Sequence, residues 1–205
     1  MAMHIAVAGN IGAGKTTLTQ MLARHYGWEM QLEDMEENPY INDFYDDMQR
    51  WSFNLQVYFL TVRWNNIQNI RKGEKSVIQD RTIYEDAYIF APNLHAMGLM
   101  STRDFDNYTR LFGAINQNLK QPDLLIYLRA SIPKLVSNIQ QRGREYEEAI
   151  RLDYLKRLNE RYEAWISSYT GKMIIVNIDD LDYQENPEHA NHMITQVETA
   201  LHGLF

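Results

Sequence analysis

The chain is expected to fold as an α/β protein, a parallel sheet of about five strands with helices packed on both faces. Two observations predict this. Short apolar runs alternate with longer segments of helical period along the whole sequence, the pattern of strands joined by crossover helices. The first such pair encloses His4-Ile5-Ala6-Val7-Ala8-Gly9-Asn10-Ile11-Gly12-Ala13-Gly14-Lys15-Thr16-Thr17. Within it, Gly9 to Thr16 fits G-x-x-x-x-G-K-[ST], the phosphate-binding loop, between a strand and a helix. The sheet is therefore expected to be of the P-loop NTPase type.

In order, residues 5–8 read as a buried central strand and 16–26 as the helix after it. A second strand, 28–32, ends at Glu33 and runs into an acidic stretch holding Pro39. Residues 50–71 form a long helical pattern closed by Lys72-Gly73, and 76–79 a short strand leading into Asp80-Arg81-Thr82. Helices are expected over 83–90 and 103–117, then a buried strand over 124–128. Pro133 stands near the start of a helix over 134–141, where the N–H that proline lacks would have no intrahelical partner anyway. Arg142-Gly143-Arg144 interrupts before a helix over 149–167 and a last strand over 173–176. Asn186-Pro187 opens a final helix with Met193, Val197 and Leu201 on one face. No repeat or linker divides the chain, so residues 1–205 are expected to form one domain.

Composition narrows the chemistry. The 205 residues include no cysteine, which excludes disulfides, thiolate zinc sites and a cysteine nucleophile. No apolar run approaches a membrane span and the chain enters a strand at once, so no membrane is expected and the cytoplasm is the default. A net charge of −7 argues against a broad nucleic-acid surface. Phosphates must then be held by a local basic cluster.

The loop supplies its core. Gly9, Asn10, Ile11, Gly12, Ala13, Gly14, Lys15, Thr16 and Thr17 would wrap phosphate oxygens with backbone N–H groups at a helix N-terminus. Lys15 would reach the β- and γ-phosphates, and Thr16 would ligate Mg²⁺. Asp80 closes its strand where P-loop proteins keep an acid near the metal; it could equally cap the next helix. Arg81 beside it suits a phosphate or a carboxylate. Glu33 could accept a proton from an attacking hydroxyl, or be one solvated acid among Glu36 and Glu37. Gln56, Phe59, Leu60 and Arg63 share one helix face, and a glutamine and an arginine there need polar partners if buried. Arg142 and Arg144 flank Gly143 as a mobile basic lid would, or as a solvated turn.

Together these stretches resemble the deoxyribonucleoside kinases: deoxycytidine, deoxyguanosine and mitochondrial thymidine kinases and the bacterial deoxyadenosine kinases. Gly-Asn-Ile-Gly-Ala-Gly-Lys-Thr-Thr is similar to that family's P-loop. Trp51-Ser52-Phe53-Asn54-Leu55-Gln56-Val57-Tyr58 resembles its base-reading helix, and Asp80-Arg81-Thr82-Ile83-Tyr84-Glu85-Asp86 its Glu-Arg-Ser motif. Arg142-Gly143-Arg144-Glu145-Tyr146-Glu147-Glu148 resembles the lid. The resemblance implies ATP-dependent phosphorylation of a deoxynucleoside 5′-hydroxyl in nucleotide salvage, with Mg²⁺, by a homodimer. It implies Glu33 as general base, with Glu37 in reserve, and Arg81 bridging the 5′-oxygen and phosphates. Tyr45 and Glu147 would hold the 3′-hydroxyl, and Gln56 the base. Arg142 and Arg144 would cover the phosphates in a lid at about 141–149, and the donor's base would lie near 177–182. Arg63 and Asp86 resemble the pair of the deoxycytidine/purine branch. With the bulk of Phe59 and the bacterial-type Asn38-Pro39, they imply purine deoxynucleosides, deoxyadenosine ahead of deoxyguanosine. Asp80 and Thr82 replace the family's Glu and Ser, and Asn138 stands where some members carry another lid arginine.

Three alternatives compete. A deoxycytidine or other pyrimidine kinase would use the same parts. A nucleoside monophosphate kinase would need extra arginines for the acceptor's phosphate. A GTP-dependent switch should carry a guanine-reading Asn-Lys-x-Asp element, which the sequence lacks.

Overall fold

The computed structural model describes residues 2–33, 38–183 and 185–203. Five strands, β1 (His4–Gly9), β2 (Glu29–Gln31), β3 (Val77–Asp80), β4 (Leu124–Arg129) and β5 (Met173–Asn177), form one sheet in the order β2-β3-β1-β4-β5. Every pairing is parallel. The expected strands all form; β2 is shorter than residues 28–32, and Asp80 belongs to β3 rather than following it.

Alternation along β1 separates two cores. Ile5 and Val7 face α1 (Lys15–Tyr26) and α9 (Pro187–His202), sharing a cluster with Leu18, Leu22, Met193 and Val197. Ala6 and Ala8 face the other way, where their small side chains leave room for Tyr108, Tyr127 and Tyr162. That second layer contains α2 (Ile41–Asp46), α3 (Met48–Lys72), α4 (Ile83–Glu85), α5 (Ala91–Ala96), α6 (Thr102–Asn116) and α8 (Leu152–Ser168). The helix α7 (Ile132–Arg142) starts at Ser131, whose hydroxyl accepts from the Lys134 N–H, with Pro133 in the first turn. Hydrophobic burial on both faces is the main stabilising term.

Three departures from the sequence reading have local causes. α2 forms inside the Pro-containing stretch because Ile41 and Phe44, three apart, both bury. The helix expected over 83–90 continues to Ala96 by widening to a π-turn over Asp86–Phe90. There the Ala91 N–H reaches the Asp86 carbonyl, so the missing N–H of Pro92 is absorbed without a break. The helix expected from 149 starts at Leu152, since Glu145–Ala149 close into a 3₁₀ turn.

With β1 at the centre, the crossover from β1 to β2 runs toward one edge of the sheet and the one from β3 to β4 toward the other, so the chain reverses its winding at the carboxyl ends of β1 and β3. Open α/β sheets bind ligands at such a point. Among the described residues no helix is long and apolar enough to cross a membrane.

Candidate active site

At that point β1 ends in the phosphate loop. Gly12 has φ 82°, and a Cβ there would meet the Leu135 carbonyl at 2.7 Å and Ile139 at 2.9 Å, so α7 can approach only a glycine. Gly14 (φ 79°) caps α1 in the left-handed conformation. The loop's carbonyls are tied from outside: Asn138 donates to Gly12 O at 2.8 Å and the Tyr183 hydroxyl to Gly14 O at 3.0 Å. Asn138 thus braces the loop where a lid arginine was the family alternative. Lys15 Nζ donates to Asn10 O at 3.1 Å. Burial, with Arg81 nearby, lowers its ammonium to about 8.

The Thr16 hydroxyl donates to Asp80 Oδ2 at 2.5 Å, while Asp80 Oδ1 is buried without a partner. Burial, opposed chiefly by Lys15, pushes the Asp80 carboxyl up. A hydroxyl and a carboxylate with one orphaned oxygen, beside the phosphate loop, are the hard oxygen donors that fit Mg²⁺. Asp80 does not cap the next helix; that cap is Thr82, in a reciprocal capping box with Glu85.

A cavity of about 570 Å³ runs from this loop into the second layer. Gly12–Thr17 form one end, and Glu33, Tyr45, Gln56, Phe59, Arg81 and Asp86 the other. Glu33 binds Arg63 Nη2 at 2.5 Å and Arg81 Nε at 3.3 Å. Burial disfavours its charge, but Arg81, Arg63 and Lys15 together bring the carboxyl down to about 2. Arg63 also pairs with Asp86; burial raises that carboxyl to about 6 with Arg63 pulling against the rise, which leaves it ionised at neutral pH. Gln56 is 2% exposed, and its Oε1 has no partner. An orphaned buried amide in a cavity wall calls for a ligand with a complementary edge. Tyr45 stacks on Tyr146 at 5.6 Å, and burial holds its hydroxyl well above the usual range.

Over the cavity, the turn after α7 sets Arg142 against Glu147 in a bidentate pair of 2.5 and 3.0 Å, with Arg144 at 3.6 Å. The two arginine side chains stay 35% and 36% exposed while they hold Glu147. Glu147 is buried and all three line the cavity.

Most residues singled out from sequence meet here, but Gly9, Asn10 and Arg63 stand behind the wall. Asn10 turns away to the Leu155 carbonyl and Asn159. Glu37 lies outside the described residues. Phe44, Phe90, Tyr154 and Tyr183 complete the wall unforeseen. As apolar or aromatic residues they read in sequence as core, and only the crossovers reveal which of them flank a cavity. The donor-base stretch expected near 177–182 contributes Ile178, Leu181 and Asp182, and the wall extends to Glu185.

A P-loop at a sheet switch point, facing a carboxylate–arginine pocket, defines a phosphotransferase with a nucleotide phosphate donor. Comparison with known proteins makes this specific. The deoxynucleoside kinase family profile matches residues 5–202, and the chain belongs to that family. It is 39% identical over 202 residues to a Bacillus subtilis deoxyadenosine/deoxycytidine kinase, covering 97% of this chain and 93% of that one. It is 35% identical to a Dictyostelium discoideum deoxyadenosine kinase over 93% of this chain and 77% of that one. The solved structure of an M. mycoides deoxyadenosine kinase with the products dCMP and a flexible dCDP superposes with a TM-score of 0.86 at 30% identity, covering 96% of this chain and all of that one. The chain is a deoxynucleoside kinase.

Proposed function

We propose that this kinase transfers the γ-phosphoryl group of ATP to the 5′-hydroxyl of a purine deoxynucleoside, deoxyadenosine ahead of deoxyguanosine, in cytoplasmic nucleotide salvage. Residues 1–205 act as one domain with the lid at about 141–149. The observation that carries the reading is the single cavity joining the phosphate loop to Glu33, Gln56 and Glu147.

Glu33 takes the proton of the 5′-hydroxyl as the O5′–Pγ bond forms and the bond from Pγ to the β-phosphate oxygen breaks, releasing ADP. Lys15, Arg81, Arg142 and Arg144 stabilise the charge spread over the transferring group, so positioning and electrostatics supply most of the rate. Thr16 and Asp80 would hold Mg²⁺, which when bound neutralises charge on the β- and γ-phosphates. Tyr45 and Glu147 hold the 3′-hydroxyl. Gln56 pairs with the base edge, and Asp86, held by Arg63, accepts from an exocyclic amino group.

Deoxycytidine is the second reading. Adenine and cytosine both present an amino donor where guanine and thymine present a carbonyl, and the Bacillus relative is named for both nucleosides. Steady-state phosphorylation of deoxyadenosine, deoxyguanosine, deoxycytidine, thymidine and adenosine, beside their monophosphates, tests the whole reading. A purine deoxynucleoside winner with adenosine poor supports it. A pyrimidine winner overturns the base preference alone, and activity only on monophosphates overturns the acceptor.

A homodimer through α6 and the π-turn completes the proposal. Tyr88 is 45% and Leu111 43% exposed, and Tyr88 packs edge-on against Phe112. Exposed apolar residues on adjoining elements favour a partner.

A further inference from the structure

Arg81 is, among the described residues, the sole non-glycine with φ in the left-handed region, at 68°. A side chain in that conformation is disfavoured and persists only where its surroundings impose it. The imposition is visible. The Arg81 N–H donates to Val7 O at 2.9 Å, and its guanidinium lies 4.5 Å over the Phe90 ring. Nη1 donates to the Tyr162 hydroxyl at 3.0 Å, and Tyr162 donates to Glu85 Oε1 at 2.8 Å. Arg81 Nη1 itself stands 3.9 Å from that oxygen.

Glu85 is fully buried, and its remaining bonds go to Thr82 and to the first glycine of the phosphate loop. Oε2 accepts from the Thr82 N–H at 2.6 Å and the Thr82 hydroxyl at 3.1 Å. Oε1 also accepts from the Gly9 N–H at 3.3 Å. Tyr162, on α8, is equally buried, and neither residue lines the cavity. A buried carboxylate and a buried hydroxyl that cannot touch a ligand are costly to keep unless their bonds do something. These bonds converge on Arg81 and on the first glycine of the phosphate loop.

We infer that Glu85 and Tyr162 are positioning residues for phosphoryl transfer: they fix the Arg81 guanidinium and lock it to the start of the phosphate loop. One pair of side chains thereby sets the distance between the arginine that meets the transferring group and the loop that holds the donor. This inference rests on the reading of Arg81 as a phosphoryl-side group. It differs from a role in fold stability, which would leave turnover of the folded enzyme unchanged.

Tyr162→Phe removes only the hydroxyl and keeps the ring stacked on Tyr127, whose centroid is 5.8 Å away. Its kcat is expected to fall roughly 10- to 100-fold, the effect of losing one hydrogen bond to a charged group in a transition-state contact. KM for deoxyadenosine and for ATP should stay within about threefold. Combined with Arg81→Lys, the loss should not add: the double variant should be within about twofold of Arg81→Lys alone. Glu85→Gln, which retains shape and loses charge, should show the same split should Tyr162→Phe fold poorly. Normal kcat in both single variants beside a slow Arg81→Lys overturns the inference and leaves the proposed function standing. So does a loss fully additive with Arg81→Lys. A fully active Arg81→Lys overturns the phosphoryl-side reading, and the inference with it.

Discussion

Replacing Glu33 by glutamine keeps the shape of the side chain and removes its charge. That carboxylate bridges two guanidiniums while only 15% exposed. A carboxyl whose folded value lies below its ordinary 4.5 contributes stability that is complete above pH 4.5 and is lost as pH falls toward 2. The fall to about 2 corresponds to roughly 3 kcal/mol at neutral pH. Glu33→Gln is therefore expected to lower the unfolding free energy by about 2–3 kcal/mol at pH 7 in urea titrations. The gap to the unsubstituted protein should narrow as pH falls below 4.5. An equal midpoint at pH 7 would refute the electrostatic reasoning.

Turnover tests the chemistry separately. Loss of a general base is expected to reduce kcat by about 10²- to 10⁴-fold, with KM for the deoxynucleoside little changed. A carboxyl held at about 2 is a weak proton acceptor as it stands. Phosphate oxygens competing for Arg81 would remove one of its two partners and raise its basicity. The acidic limb of kcat should accordingly lie above that of kcat/KM, because the first reports the ternary complex and the second the free enzyme. Near-normal turnover in Glu33→Gln would refute Glu33 as the base.

Other perturbations address the remaining groups. Lys15, lowered to about 8 by burial, should lose its charge in the free enzyme as pH rises through 8, so kcat/KM for the donor should decline above that pH; a flat profile to pH 9.5 would contradict it. Gln56→Leu fills the same volume without a pairing edge and should raise the deoxynucleoside KM by about tenfold or more, the cost of unpaired polar groups on the base, with KM for ATP unmoved. Chelation of Mg²⁺ should abolish turnover, and Asp80→Asn should raise the Mg²⁺ concentration needed for half-maximal rate; an unchanged requirement would remove Asp80 from the metal. Leu111→Glu should shift sedimentation from dimer to monomer, and a monomeric unsubstituted protein would dismiss the α6 interface.

Much of the fold was legible because it is written in short-range patterns. The G-x-x-x-x-G-K-T run sits between a strand and a helix by periodicity alone, and β1, β4 and β5 are mostly apolar runs of strand length, whereas β2 (Glu-Met-Gln) and β3 (Val-Ile-Gln-Asp) carry polar residues. The α3 face was readable too: Gln56, Phe59, Leu60 and Arg63 are all buried, and the two polar residues on it were conspicuous. The capping role was not readable. Asp80 and Thr82 stand two residues apart with suitable side chains, and only β3 running through Asp80 hands the cap to Thr82. Glu85 and Tyr162 were invisible for a different reason. They are 77 residues apart, and a Glu in a short helix and a Tyr in a long one look like any amphipathic surface until the crossovers bring them together. The same holds for Tyr183, which reaches back to Gly14 across 169 residues.

The acidic balance of the chain, which demanded a local basic cluster, has an unexpected resolution in the site. Lys15, Arg63, Arg81, Arg142 and Arg144 gather around the cavity, but with them stand Glu33, Asp80, Glu85, Asp86 and Glu147. The cluster is charge-balanced rather than positive. Buried arginines left without partners would be strongly destabilising, so a site built to meet phosphate must satisfy its guanidiniums before phosphate arrives. Phosphate binding is then an exchange of partners. Arg142 and Arg144 leave or share Glu147, and Arg81 divides itself between Glu33 and the incoming group. On the proposed reading the carboxylates freed by that exchange are the ones required next: Glu147 for the sugar's 3′-hydroxyl and Glu33 for the 5′-proton. Donor binding would in this way prepare the acceptor half of the cavity, and the affinity for deoxynucleoside should rise when a non-hydrolysable ATP analogue is present. The coupling must be reciprocal, so a deoxynucleoside should tighten the analogue by the same factor in calorimetric titrations. Equal affinities with and without the other ligand would show that the arginine–carboxylate pairs stay closed, and that the phosphates are held by the loop alone.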